Sequence, residues 1–148
     1  MDFGYWTVES KQVSKFPVKD KVCCAAWTND GRYIALGLYN GTISIRDRAG
    51  DERVNIKRKV AGGEAPIWSL TWNPSEEALD TLAVCDWNQR LSFYMLSGRQ
   101  ITKDRVLDYD PCCASYFTSG EFLVMGGSDK KVGGWMRVVD SVVRQGRA

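Results

Sequence analysis

A repeat constrains this chain more than any other feature. Three segments, "CCAAWTNDGRYIALGLYNGTISIRD", "SLTWNPSEEALDTLAVCDWNQRLSFYM" and "CASYFTSGEFLVMGGSDKKVGGWM", follow one plan. An aromatic residue closes the first apolar run at Trp27, Trp72 and Tyr116, which lie 45 and 44 residues apart. The turn that opens the third run falls at Asn40-Gly41, Asn88-Gln89 and Asp129-Lys130. From aromatic to turn the distances are 13, 16 and 13 residues, so the middle copy carries three extra residues, assigned to "SEEALD". The runs are short, polar turns separate them, and long helical periodicity is absent. Asn40-Gly41 is a strong hairpin signal, read as a turn in which both central residues take positive φ. Gly31, Gly41 and Gly120 are read as turn glycines. A fourth strand is expected over "RVNIKRKV". There Arg53, Lys57, Arg58 and Lys59 would form a charged outer edge that resists pairing with other chains.

Four short antiparallel strands every 44 or so residues are the mark of a β-propeller blade. The expected fold is all-β. A preceding blade contributes its last strands over 1–12, and blades follow at 13–62 and 63–106. A partial blade spans 107–136 and a divergent tail 137–148. Each blade is covered only by its neighbours, and a closed ring needs about four to eight blades. About three are present, so the propeller is incomplete and exposes an apolar sheet face at each end. Trp27, Trp68, Trp72 and Tyr116 are expected to pack between blades. In the tail, "WMRVVDSVVRQ" is compatible with a short amphipathic helix carrying Met136, Val139 and Val143 on one face.

These blocks resemble the WD40 family, whose third strands close on Trp-Asp. The Trp position is filled by Trp6, Arg46, Tyr94 and Trp135, and the Asp survives once, as Asp47. The chain has no histidine. The hydrogen-bonded network joining a His, an Asp and the Trp in strict family members is therefore not expected, and the blades should rely mainly on apolar packing between neighbours. Longer strings carry a narrower resemblance: "AWTNDGRYIALGLYNGTISIR", "PIWSLTWNP", "LAVCDWNQRLSFYMLSGRQI", "DPCCASYFTSGEF" and "GGSDKK". From Asp2 to Lys131 they are similar to the WD region of intraflagellar-transport proteins; after Lys131 the likeness stops. The resemblance implies a non-enzymatic scaffold subunit of intraflagellar transport complex A, acting in retrograde ciliary transport and cilium assembly. It implies other complex A subunits and ciliary cargo adaptors as partners, and a place in the cilium and the cytoplasm at the ciliary base.

The remaining chemistry is sparse. A formal charge of +2 and a pI near 8.3 announce neither nucleic acid nor an anionic membrane as partner. No apolar run approaches the ~18 residues of a membrane helix, and "MDFGYWTVESKQ" does not read as a secretory signal. The five cysteines (Cys23, Cys24, Cys85, Cys112, Cys113) show no CxxC spacing. One member of each adjacent pair is expected to face inward as a small apolar filler, and their use suits a reducing compartment. Without histidine the usual general base and the commonest nitrogen ligand are missing. Asp108 and Asp110 in "LDYDPCC" are read as a turn, and "GGEAP" lacks the pattern of a phosphate loop. No enzyme activity, cofactor or metal is expected. A different class, a single-stranded nucleic-acid-binding β module, would use exposed aromatics beside the Arg53–Lys59 cluster.

Overall fold

The structure, a computed structural model, describes residues 7–58, 65–78, 80–136 and 144–147. Twelve strands among the described residues form three four-stranded sheets. The first holds β1 (Val22–Trp27), β2 (Tyr33–Leu38), β3 (Ile43–Asp47) and β4 (Glu52–Ile56). The second holds β5 (Ile67–Trp72), β6 (Thr81–Asp86), β7 (Arg90–Met95) and β8 (Arg105–Val106). The third holds β9 (Pro111–Tyr116), β10 (Phe122–Gly127), β11 (Val132–Met136) and β12 (Arg144–Arg147). Every sheet is an antiparallel meander in chain order. The sheets are three blades of an incomplete propeller.

Turn chemistry sets the registers. Between β2 and β3, Leu38 N–H donates to Thr42 O (2.9 Å) and Gly41 N–H to Leu38 O (3.1 Å). Gly41 has φ +84°, and its counterparts Gln89 and Lys130 have +58° and +63°, whereas Asn40 stays at negative φ. The expectation of two positive-φ residues is thus corrected. The loop has three residues, a type I turn closed by one left-handed residue, which a glycine fills with least strain. The loop from β5 to β6 spans seven residues where those of the flanking blades span four, closed by Asn73 N–H to Thr81 O, Thr28 N–H to Tyr33 O and Phe117 N–H to Phe122 O. The extra residues coil into a 3₁₀ turn, Glu76–Ala78.

The ends of the chain depart from expectation. The strand foreseen at Trp6 lies outside the described residues, and residues 7–21 contain no strand. The tail contributes β12 to the third sheet rather than a helix reaching Met136, which sits in β11; Val139 and Val143 fall outside the described residues. The fourth strand of blade one stops at Ile56 instead of running through Val60, and Lys59 is not described.

The core lies between sheets. One cluster joins Ala35, Ile43, Ile45 and Ile56 of blade one to Ile67, Leu70, Trp72, Leu82, Val84 and Tyr94. A second joins Ala83, Cys85, Leu91 and Phe93 of blade two to Tyr109, Leu123 and Met125. Equivalent positions show what happens where a neighbour is missing. Ile43, Leu91 and Val132 occupy one repeat position, pairing with Gly37, Cys85 and Gly126. Their exposures are 0%, 0% and 60%. On the opposite sheet face, Trp72 is 5% exposed and Trp27 52%. Trp27 and Val132 mark the two open faces.

Candidate interaction surface

Each first strand carries an irregularity at the same repeat position. The register shifts between Val22 and Cys24, between Ile67 and Ser69, and opposite Gly126/Gly127 where Cys112 is skipped. Cys23, Trp68 and Cys112 are the extra residues. A bulge leaves its extra residue unpaired and re-aims its side chain. Trp68, expected between blades, is therefore 42% exposed, although Leu70 and Trp72 on the same strand are buried. The cysteine reading holds for the first pair and fails for the second. Cys23, Cys112 and Cys113 are exposed, while Cys24 turns its Sγ to Ile67 O (3.5 Å) and Cys85 is buried. So the second pair has no inward member: the position that Cys24 fills against blade two is open in blade three. Burial pushes the Cys24 and Cys85 thiols up to about 12.

The blades are joined by more than apolar packing. Arg58, from the linker after β4, reaches into blade two and lies 2.7 Å from Asp86 Oδ2, with side-chain exposures of 2% and 0%. Its Nε donates to Tyr94 Oη (3.1 Å) and its Nη2 to Ser92 Oγ (2.8 Å). Ser92 Oγ in turn donates to Asp104 (2.6 Å), and Arg90 bridges Asp86 and Asp104 at 3.1 Å each. Asp86 Oδ1 accepts the Asn88 and Arg90 N–H groups, holding the turn that opens β7. The His–Asp–Trp network cannot form without histidine, as expected; a different one, built on Arg58, Asp86 and Tyr94, adds to the apolar packing, and Tyr94 stands where WD40 blades carry tryptophan. Arg58 is also lost to any basic edge, and Arg53 donates to Asp47 (2.8 Å). Of the remaining cations in that cluster, Lys57 is exposed and Lys59 is not described.

The other repeat positions fall as follows. Trp72 Nε1–H donates to Ala26 O of blade one (3.0 Å), and Tyr116 packs half-buried against the second core cluster. Trp27, expected to pack between blades, is exposed because no blade among the described residues covers its sheet face. Gly31 and Gly120 close equivalent loops at φ +69° and +75°. Gly120 O accepts from the buried Asn73 Nδ2 (3.0 Å), and Asn73 O accepts from Asn29 Nδ2 (2.7 Å), so three blades share one polar ladder. Asp47 caps the β3–β4 turn through the Ala49 and Asp51 N–H groups. The hydrogen bond from Arg53 holds its carboxyl below the usual range. Arg46 sits under Phe16 (5.1 Å) and donates to Ser44 Oγ and Gly50 O. The side chain of Trp135 and all of Trp6 lie outside the described residues. Asp108 and Asp110 are exposed in the segment leading into β9. Among the described residues no cluster of three or more His, Cys, Asp or Glu is placed to hold a metal, and no helix is long and apolar enough to cross a membrane.

Comparison with known proteins fits this architecture. The family model described as IFT122 first beta-propeller matches residues 1–144. The chain belongs to this family. Similar relatives are the intraflagellar transport protein 122 homologs of Mus musculus (59% identical) and Xenopus tropicalis (56%), each over 132 residues. Those matches cover 88% of this chain and 11% of the relative, so the chain spans about a tenth of their length. The Homo sapiens homolog is 40% identical over 191 residues, again 88% of this chain and 15% of the relative. Among solved structures, the Myceliophteria thermophila Cps50 (Swd1) beta-propeller domain superposes with a TM-score of 0.71 at 14% identity, covering 88% of this chain and 38% of that one. The likeness shows the fold. This is a WD-repeat chain of the intraflagellar-transport kind.

Proposed function

We propose that this chain is a scaffold element of intraflagellar transport complex A, serving retrograde ciliary transport and cilium assembly through protein–protein contacts. Its partners on this reading are other complex A subunits and ciliary cargo adaptors, and its place is the cilium and the cytoplasm at the ciliary base. The observation that carries the proposal is the family match over residues 1–144, joined to relatives of up to 59% identity named for intraflagellar transport. The architecture supports it: Arg58 ties blade one to Asp86 of blade two, and Arg90 pairs with Asp86 and Asp104 within blade two, so these charges serve the structure. What the fold presents outward is rigid strand ends and turns, the surface by which propellers meet other proteins. No catalytic role is assigned to any residue.

The test is affinity isolation of the tagged chain from ciliated cells, with an unrelated three-blade WD fragment as control. Enrichment of complex A subunits over the control is expected. Equal recovery from both, or recovery only of chaperones, would overturn the assignment.

A further inference from the structure

The open faces explain why Trp27 and Val132 are exposed. They do not explain Trp68 and Trp87. Both belong to blade two, which has a blade on each side, yet they are 42% and 51% exposed. Their rings stack on each other at 4.9 Å with 23° between planes. The β5 bulge turns Trp68 out of the inter-blade space, and Trp87 N–H to Pro66 O (2.9 Å) anchors its partner at the same end of the sheet. The pair is specific to this blade: the positions matching Trp68 carry Cys23 and Cys112, and Ser128 matches Trp87 in blade three. In blade one the match is Tyr39, 47% exposed and held by the equivalent bond, Tyr39 N–H to Lys21 O. Neither indole N–H of the stacked pair has a hydrogen-bond partner among the described residues, in contrast to Trp72.

Beside Trp87 an open groove runs toward blade three, lined also by Gln89, Val106, Asp104, Asp110 and Arg90, whose charge is taken up by Asp86 and Asp104. Asp104 is engaged by Arg90, Ser92 and Gln100. Asp110 accepts from the neutral Gln89 Nε2 (3.0 Å) and Ser128, is exposed, and has the exposed Asp108 two residues away. At the far end, Lys21 Nζ stands 5.4 Å over the Tyr39 ring. One rim thus reads, from blade one to blade three, as a cation, an aromatic, an aromatic pair whose indole donors are unpaired among the described residues, and a carboxylate.

We propose that this rim binds an extended proline-containing segment of a partner protein, with an arginine or lysine at the end that meets Asp110. Proline rings stack on aromatic faces, and their carbonyls accept from indole N–H groups without needing donors in return. Adjacent packed sheets stand about 10 Å apart. One turn of polyproline II spans three residues at about 3.1 Å each, or roughly 9 Å. On that general spacing, prolines three apart would fall over Tyr39 and the Trp68–Trp87 pair on neighbouring blades. A guanidinium one turn further on would lie in the groove beside Trp87 and pair with Asp110. The proposal takes from the scaffold reading only that the partner is a protein.

The experiment uses the 148-residue chain and a fluorescein-labelled ten-residue peptide with Pro-x-x-Pro-x-x-Arg at its centre, read by anisotropy. Saturable binding is expected. Trp87→Ala should weaken it about tenfold, the loss of one well-packed aromatic contact. Asp110→Asn should abolish the preference for that peptide over one with Glu in place of Arg. Trp27→Ala, on the open face, should leave binding unchanged. Circular dichroism checks that the variants fold; if Trp87→Ala does not, Trp87→Leu keeps the bulk and removes the π face. Absence of saturable binding, equal affinity of a folded Trp87 variant, or a preference for the Glu peptide overturns the proposal. None of these results bears on recovery of complex A subunits, so the two readings fail separately.

Discussion

Removing the Asp86 charge is the sharpest probe of how blades one and two are held together. Arg58 is 2% exposed, and Asp86 is the carboxylate it pairs with, at 2.7 Å; its other polar partners are the neutral Ser92 and Tyr94 hydroxyls. Asp86→Asn retains an acceptor for the Asn88 and Arg90 N–H groups, so the turn into β7 survives while a buried guanidinium loses its counter-charge. Orphaning one member of a buried pair costs about 3–5 kcal/mol. Arg58→Met is milder, about 3 kcal/mol or less, because Asp86 keeps Arg90 at 3.1 Å. The double variant buries neither charge of the pair, so its loss should fall short of the sum of the singles by about 1–3 kcal/mol. Urea unfolding followed by tryptophan fluorescence measures all four proteins. If Asp86→Asn unfolds within about 0.5 kcal/mol of the parent, the usual effect of a surface change, the network does not clamp the blades. Strict additivity of the two singles would equally refute direct coupling.

Three further outcomes follow from the same geometry. Trp72→Ala should cost about 3–5 kcal/mol, whereas Trp27→Ala should stay within about 0.5 kcal/mol; urea midpoints for the pair separate buried from open faces. Gly31→Ala meets nothing within 4 Å at φ +69° and should cost about 1–2 kcal/mol of left-handed strain. Gly120→Ala adds a clash with Asn73 Oδ1, held by Ser75 N–H, so its thermal midpoint should fall clearly further. Burial raises the Cys85 thiol from 9.0 to about 12, so between those values the unfolded chain releases this proton and the folded one keeps it. Stability should then decline with rising pH across that window, by up to about 1.4 kcal/mol per unit from this thiol. The slope should flatten in Cys85→Ala, and an identical slope in both proteins would contradict the burial of the thiol.

The blade period was legible because it rests on local alternation and turn residues, which each copy repeats. The three extra residues of the middle copy were legible for the same reason, and the structure spends them in the β5–β6 loop. What escaped was set by distance or by a missing neighbour. Strict alternation puts Trp68 and Trp72 on one sheet face; a bulge at Trp68 itself breaks the count, and no residue type in "PIWSLTW" announces it. Its recurrence at Cys23, Trp68 and Cys112 offered one clue, since these residues share a place in the repeat. Arg58 read as an edge charge because Asp86, which neutralises it, lies 28 residues downstream. Charge repulsion at an edge and charge burial in a pair draw on the same residue type.

Trp27 and Trp72 make the general point. They close equivalent strands in equivalent contexts, yet one is core and the other surface. Burial in a radial repeat belongs to the pair of blades rather than to the residue, so a repeat position names a role only where the adjoining blade is also present. Exposure at the ends of an open propeller therefore says little about binding. Exposure in its middle blade says more, because there both neighbours are in place and have left the side chains uncovered. Trp68 and Trp87 pass that criterion. Trp27, Phe122, Val124 and Val132 do not, although each is at least 42% exposed.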